Sequence, residues 1–174
     1  MKNSILQKDS PVLRQIAKEV PLSEIKTDKI QNVLKDMQRA LHAEEDGVAI
    51  AAPQIGQSLR IFIVSGRTLA MIRTKEDFDK VEPLEDLVFI NPIIEKLSKS
   101  KSNLEEGCLS VRWLYGQVER SDKATVKAYD QTGRRFQKGA AGLLAQIFQH
   151  EIDHLDGILF IDKATDIEDM PPEK

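Results

Sequence analysis

Two histidines four residues apart, with a glutamate directly after the first, are the residues of this sequence best suited to metal chemistry: His150, Glu151 and His154. On an α-helix, side chains at positions i and i+4 lie on the same face, so both imidazoles can bind one metal ion. Glu151 would then project beside the ion, where a carboxylate suits general acid–base catalysis. A catalytic ion usually has three protein ligands and one open position, so the pattern requires a third ligand elsewhere in the chain.

The residues around these histidines predict a helix that positions them. A helix-forming run follows Gly139 and extends to Gly157, which can adopt the left-handed conformation that ends a helix. Leu143 and Ile147 precede the histidines at helical spacing. The metal site is therefore predicted at the end of an apolar helix face.

The chain contains one cysteine, Cys108, so an internal disulfide cannot form. It follows Gly107 in an otherwise extended run. A lone cysteine is a buried spectator, a reactive thiol or a metal ligand. As a thiolate, Cys108 would supply the missing third ligand.

Residues 47–56 are small side chains between two glycines, with Pro53 and Gln54 near the end of the segment. Small side chains allow a ligand or another backbone to come close. A tightly packed core strand explains the same composition. The residues alone favour the core strand without excluding the binding segment.

The remaining pattern predicts an α+β protein, with helices first, then strands, then the metal-binding helix. Helices are predicted over residues 12–20 and from Thr27 or Asp28 to Leu41. Strands are predicted over residues 59–64, 88–94, 118–120, 125–129, 134–137 and 159–161. Residues 65–87 are expected to form an irregular surface insertion, and 162–174 a poorly ordered acidic tail.

Length and composition are typical of one soluble globular domain. The chain has 174 residues, of which 41% are hydrophobic and 30% charged. The net charge of -3 offers no basic surface for nucleic acid. No apolar run is long enough to cross a membrane, and the first residues lead into no signal-peptide core. We expect a cytoplasmic or organelle-matrix protein that binds neither nucleic acid nor membrane.

Three short motifs occur in order at residues 47–54, 106–110 and 149–154: GVAIAAPQ, EGCLS and QHEIDH. Together with the flanking sequences DSPVLR (9–14) and LDG (155–157), they resemble the peptide deformylase family. Members of that family remove the formyl group from the N-terminal formylmethionine of newly made proteins. Three ordered motifs are far more specific than one, and the resemblance covers nearly the whole chain. It implies a single α+β catalytic domain over residues 1–174, with mixed or antiparallel sheets around a central metal-binding helix.

The resemblance also implies a role for particular residues. The metal ligands it implies are Cys108, His150 and His154. Glu151 would be the general acid–base, and the Gln54 amide and the Leu109 N–H would stabilise an oxyanion. The implied substrate contacts are Gly47, Val48, Ala49, Leu143 and Ile147, and Glu106 would pair with Arg120 behind the metal loop.

The resemblance further implies iron(II) in the cell, with zinc, nickel or cobalt able to replace it, because a thiolate and two imidazoles suit all four. The implied substrates are nascent peptides that begin with formylmethionine, bound close to the ribosome. The protein itself is expected to be a monomer. Two positions depart from the family pattern: Ala49 replaces a glycine, and Arg112-Trp113 replaces a Pro-Gly. Both departures are expected to affect substrate contacts beyond the methionine.

Two other functions remain open from the residues. A metallopeptidase with the same histidine motif would recruit a further Glu or His as its third ligand. A protein that only binds formylated or free N-termini would have no use for the proton shuttle that Glu151 provides.

Overall fold

One helix, α3 (Gly142–Leu155), contacts both β-sheets of the protein. The structure is a computed structural model and describes residues 4–173. The other α-helices are α1 (Asp28–His42) and α2 (Gly66–Thr74). Short 3₁₀ turns cover Pro11–Arg14, Leu22–Glu24, Ala52–Ile55 and Phe160–Asp162.

Within residues 4–173, eight strands form two antiparallel sheets. The strands are β1 (Ala49–Ala51), β2 (Ile61–Val64), β3 (Leu87–Leu97), β4 (Lys101–Glu106), β5 (Leu114–Ser121), β6 (Lys123–Tyr129), β7 (Arg135–Ala141) and β8 (Thr165–Asp169). The larger sheet has the order β1-β2-β3-β6-β7, and the smaller has the order β4-β5-β8. This architecture confirms the predicted α+β class and the central position of the helix that carries both histidines.

The core lies between α3 and the larger sheet, where aromatic rings pack against one another. Phe62 stacks on Phe89 with 4.3 Å between ring centroids, and Phe148 of α3 meets Phe89 edge-on at 5.1 Å. Alternate residues of β6, Ala124, Val126 and Ala128, point toward this core and are buried. Aromatic pairs in such offset and edge-on arrangements contribute beyond the apolar area that they bury.

Helix α1 covers another part of the core, as its periodicity predicts. Ile30, Leu34, Met37 and Leu41 are all buried. They pack against residues of the strands β1 to β3 and against the turn that holds Gln54. The apolar stripe therefore fixes α1 directly behind the 47–56 segment.

The structure corrects several boundaries. Residues 65–87 were expected to be irregular, but α2 lies there, and its N-cap Ser65 accepts a hydrogen bond from the Thr68 N–H at 3.1 Å. Strand β7 continues to Ala141, so α3 begins at Gly142 rather than soon after Gly139. Of the helix predicted at 12–20, only residues 12–14 are helical, as part of the 3₁₀ turn Pro11–Arg14.

The C-terminal predictions are also wrong in part. The predicted strand at 159–161 is the 3₁₀ turn Phe160–Asp162, in which the Asp162 side chain accepts a hydrogen bond from the Leu159 N–H. The tail at 162–174 was expected to be poorly ordered, yet Thr165–Asp169 pairs with β5 as strand β8. No helix in the described residues is long and apolar enough to cross a membrane.

Gly157 ends α3 as predicted, with a φ of 75°. A Cβ at this position would lie 2.7 Å from the Arg14 carbonyl oxygen. Gly133, in the turn between β6 and β7, has a similar φ of 83°, but a Cβ there would meet nothing within 4 Å. An alanine at Gly133 would therefore have only the cost of the left-handed conformation, whereas an alanine at Gly157 would add the cost of a steric clash.

We predict that Gly133→Ala lowers the free energy of unfolding by about 1 to 2 kcal/mol, the cost of a left-handed alanine. Gly157→Ala should cost at least about 1 kcal/mol more, because the Arg14 backbone must also move. Urea unfolding of both metal-loaded variants measures the two losses. Equal losses would contradict the close approach at Gly157.

Candidate active site

Side chains from two distant parts of the chain meet at the buried end of α3. Cys108 lies in the loop that follows β4, and His150 and His154 lie one turn apart on α3. One donor atom from each of these three residues lies within 4.8 Å of the other two. The Cys108 Sγ is 3.3 Å from the His154 Nε2. The structure thus brings together the three residues predicted as metal ligands.

The chemistry of these donors fits a divalent metal ion. A soft thiolate with two imidazoles is a common donor set for zinc, iron(II), nickel and cobalt. The Nδ1 of His150 bonds to Glu106, which leaves the Nε2 of that ring available for an ion. Among the described residues, the buried Oε2 of Glu151 has no hydrogen-bond partner. An unpartnered carboxylate oxygen in this position is suited to a water molecule or a substrate.

A buried ion pair lies directly behind His150. Arg120 of β5 donates to Glu106 of β4 through two nitrogens, at 2.7 and 2.8 Å, and both side chains are at most 4% exposed. Glu106 also bonds to the Nδ1 of His150 at 2.8 Å. Burial alone would raise the pKa of Glu106, but the hydrogen bonds from Arg120 and His150 lower that pKa to about 2. The predicted pairing of Glu106 with Arg120 is present.

The ionic contacts continue along α3. The Nη1 of Arg120 donates a hydrogen bond to the Asp153 carboxylate at 2.6 Å. The Nζ of Lys163 donates to the same carboxylate at 3.0 Å. Arg120 is therefore held from both sides, by β4 and by α3. Asp153 lies inside the QHEIDH motif, but its spacing from the other residues did not indicate this contact.

Glu151 is a buried carboxylate that titrates near neutral pH. Burial raises its pKa to about 7, the nearby charge of His150 lowers that pKa, and the charge of Glu106 raises it. A carboxylate with such a pKa can both accept and release a proton at neutral pH. This property agrees with the predicted acid–base role.

Gln54 is held so that its amide nitrogen points toward Cys108. Its Oε1 accepts a hydrogen bond from the Ala51 N–H at 2.8 Å, which fixes the orientation of the amide. Its Nε2 donates to the Ser110 Oγ at 3.0 Å and lies 3.7 Å from the Cys108 Sγ. In the described part of the chain, the Leu109 N–H makes no hydrogen bond. The Gln54 amide thus lies beside the Cys108 sulfur, the Leu109 N–H belongs to the next residue of the chain, and Ser110 is an orienting residue that the sequence did not indicate.

A cavity of about 260 Å³ opens beside these groups. It is lined by four of the five predicted substrate contacts, Val48, Ala49, Leu143 and Ile147. Gly47 is the exception. A Cβ on Gly47 would lie 2.4 Å from the Leu41 carbonyl oxygen, so this glycine permits close packing on α1. Further lining residues that the sequence did not indicate are Val111, Leu114, Tyr115 and Gln146.

The sequence profile of the family described as Polypeptide deformylase matches residues 2–170. The chain belongs to the peptide deformylase family. It is 43% identical over 154 residues to the peptide deformylase of Fusobacterium nucleatum, covering 88% of this chain and 79% of that protein. It is 40% identical over 163 residues to the peptide deformylase of Desulforudis audaxviator, covering 94% of each.

A solved deformylase structure has the same fold. The class I type b peptide deformylase of Acinetobacter baumannii, determined with Met-Ala-Ser bound, superposes with a TM-score of 0.78. The two sequences are 32% identical, over 91% of this chain and 96% of the other. The deformylase fold therefore surrounds the cluster of Cys108, His150 and His154 in this protein.

We predict that Glu106→Gln weakens metal binding about 10-fold to 100-fold, because His150 loses the carboxylate that orients its ring. The matched control is Glu119→Gln, which removes the exposed Lys101–Glu119 pair from the same β4–β5 ladder. That exposed pair should contribute at most about 1 kcal/mol to stability and nothing to metal affinity. Metal affinity is measured by competition with a chelator.

Arg120→Gln and the double variant complete a cycle with Glu106→Gln. Strong coupling between the two changes is expected, because each single change leaves one buried charge without its partner. If the losses are additive and no larger than that of the Lys101–Glu119 pair, the ion pair has no role in holding the site.

Proposed function

We propose that this deformylase removes the formyl group from the N-terminal formylmethionine of newly made polypeptides and releases formate. The observation that carries the proposal is the arrangement of a thiolate, two imidazoles and a carboxylate of raised pKa around one cavity. Hydrolysis of an amide requires an activated water, a proton shuttle and a stabilised oxyanion. Residues suited to each of these roles lie together here.

We propose that the metal is held by Cys108, His150 and His154. We also propose that this metal is iron(II) in the cell, and that zinc, nickel or cobalt can replace it. When bound, a divalent ion supplies Lewis-acid chemistry, lowering the pKa of water and stabilising negative charge on oxygen. Glu106 orients the imidazole of His150 through a hydrogen bond with the His150 Nδ1.

Proton transfer is assigned to Glu151. Its Oε2 accepts the proton of the attacking water and then returns a proton to the departing amine nitrogen. The pKa of about 7 suits both steps, because the carboxylate gives up and recovers its proton at little cost near neutral pH.

Two hydrogen-bond donors, the Gln54 Nε2 and the Leu109 N–H, are assigned to stabilise the negative charge that develops on the formyl oxygen. The Gln54 amide is already oriented by Ala51 and Ser110, so little reorganisation is needed when the charge appears. Both donors lie on segments that pack on the core. Preorganised donors of this kind stabilise a transition state more than flexible ones.

Substrate binding is assigned to the apolar cavity and to strand β1. Val48, Leu143 and Ile147 form an apolar wall that suits a methionine side chain. Strand β1 is at the edge of its sheet and pairs only with β2, so its other edge can pair with an extended peptide. The peptide deformylase of Acinetobacter baumannii was solved with Met-Ala-Ser bound.

We further propose that residues 1–174 form one monomeric catalytic domain that acts in the bacterial cytoplasm or an organelle matrix. Formylated N-termini arise there during translation, so the substrates are nascent chains close to the ribosome. The acidic net charge of -3 supports action on the peptide without direct binding to nucleic acid.

Glu151→Gln should keep the metal and lower kcat on formyl-Met-Ala-Ser by about 10² to 10⁴-fold, because the amide cannot shuttle a proton. Glu105→Gln, an exposed neighbour on β4, is the control and should retain full activity. Elemental analysis of both proteins accompanies the kinetics. Near-normal turnover by a metal-loaded Glu151→Gln protein would remove the assigned role.

Cys108→Ser should lower both metal content and activity, because a hydroxyl is a poorer ligand than a thiolate. Unchanged metal content and activity in Cys108→Ser would disprove the ligand assignment.

Two further measurements use the wild-type protein. Anaerobic purification followed by elemental analysis identifies the metal, with iron expected. Activity on acetyl-Met-Ala-Ser or on internal peptide bonds, in place of the formyl peptide, would favour a metallopeptidase.

A further inference from the structure

Arg112 joins the two walls of the active-site cavity. Its Nη1 and Nη2 donate to both carboxylate oxygens of Asp46, at 2.6 and 2.9 Å, and its Nη2 also donates to Glu44 at 3.0 Å. Arg112 lies in the same loop as Cys108, between β4 and β5, whereas Glu44 and Asp46 precede β1. Arg112 and Asp46 both line the cavity. The contact therefore connects the wall that carries the thiolate to the wall that carries the edge strand.

The surroundings of Arg112 differ from those of an ordinary surface arginine. Its side chain is only 19% exposed, and the guanidinium lies over the ring of Trp113, 4.5 Å from the ring centroid. Hydrogen bonds from Arg112 lower the pKa of Asp46 and keep that carboxylate charged. A two-nitrogen contact with a carboxylate, together with stacking on an aromatic ring, fixes the guanidinium in one orientation.

The position of the contact along β1 indicates which part of a substrate it affects. Gln54 follows the end of β1 and lies beside Cys108, whereas Asp46 precedes the start of the strand. A peptide whose formyl group lies near Gln54 and Cys108, and whose backbone pairs with β1, must extend toward Asp46. Residues that follow the methionine would therefore pass the contact between Asp46 and Arg112.

We propose that Arg112 is a positioning residue that holds the two cavity walls at the spacing needed to bind the residues following the substrate methionine. This inference rests on the proposed deformylase function. The competing explanation is a surface ion pair that contributes little and is screened by salt. The low exposure of Arg112, its three hydrogen bonds and its stacking on Trp113 favour the positioning role.

The test compares Arg112→Met, which keeps an unbranched side chain but removes the charge, with the wild-type protein. The matched control is Arg39→Met, which removes an exposed arginine paired with Asp36 on α1. For formyl-Met-Ala-Ser, we expect KM to rise about 10-fold in Arg112→Met while kcat stays within about two-fold. The shorter formyl-Met-Ala should show a smaller rise in KM. Arg112→Lys should recover only part of the loss, because an ammonium cannot replace the two-nitrogen contact.

Fluorescence provides a measurement that does not depend on catalysis. Trp113 is the only tryptophan of the chain, so its emission reports on this part of the cavity alone. Arg112→Met should shift the emission to longer wavelength, because the ring loses its guanidinium cover and meets more water. Titration with the product peptide Met-Ala-Ser should give a Kd about 10-fold higher than that of the wild-type protein.

The outcomes distinguish this inference from the function on which it rests. If the wild-type protein does not deformylate formyl-Met-Ala-Ser, the proposed function fails. If it does, but Arg112→Met leaves KM and the Met-Ala-Ser Kd unchanged, the positioning role of Arg112 is wrong. A fall in kcat together with loss of bound metal would also overturn it, since Arg112 would then support the loop of Cys108 instead of the substrate.

Discussion

The buried contact between Glu106 and Arg120 is the interaction on which the rest of the site depends. Both charges are removed from water, which is costly unless each finds full compensation. Glu106 obtains it from two arginine nitrogens and the His150 Nδ1, and Arg120 obtains it from Glu106 and Asp153. Because these partners lie on β4, β5 and α3, the charges are satisfied only when all three elements are in register. The ion pair therefore couples the position of the Cys108 loop to the helix that carries both histidines.

The same arrangement explains how a small protein brings together the proposed catalytic groups, which are far apart in the chain. Gln54 follows an edge strand of one sheet, Cys108 follows a strand of the other, and His150 lies on the helix that contacts both sheets. None of these segments positions the others through local structure. The aromatic packing of Phe62, Phe89 and Phe148 fixes the helix on the larger sheet, and the ionic contacts fix it on the smaller. Side chains supported in this way are preorganised for charge stabilisation.

The amino-acid pattern predicted the elements whose signals are local. The helix α1, the paired strands β6 and β7, the glycine that ends α3 and the spacing of the histidines all arise from periodicity or backbone preference, and the structure contains each of them. Helix α2 was missed because its apolar residues form one consecutive run, 69–72, and not a stripe at helical spacing. Strand β8 was missed because all five of its residues are exposed. No side chain of this strand has to be apolar, so the sequence TDIED does not alternate between apolar and polar residues and gives no sign of pairing with β5.

By itself, the sequence determined the type of chemistry, because two histidines at helical spacing, a neighbouring glutamate and a single cysteine define a metal-binding donor set and a proton carrier. The three ordered motifs also determined the family. Apart from the Glu106–Arg120 pair, which the resemblance implied, only the tertiary structure decided how charges are paired and oriented. The bonds of Arg120 to Asp153, of Gln54 to Ser110 and of Arg112 to Asp46 join residues at least 33 positions apart. Such contacts depend on how strands and helices pack, and residue spacing along the chain carries no record of that packing.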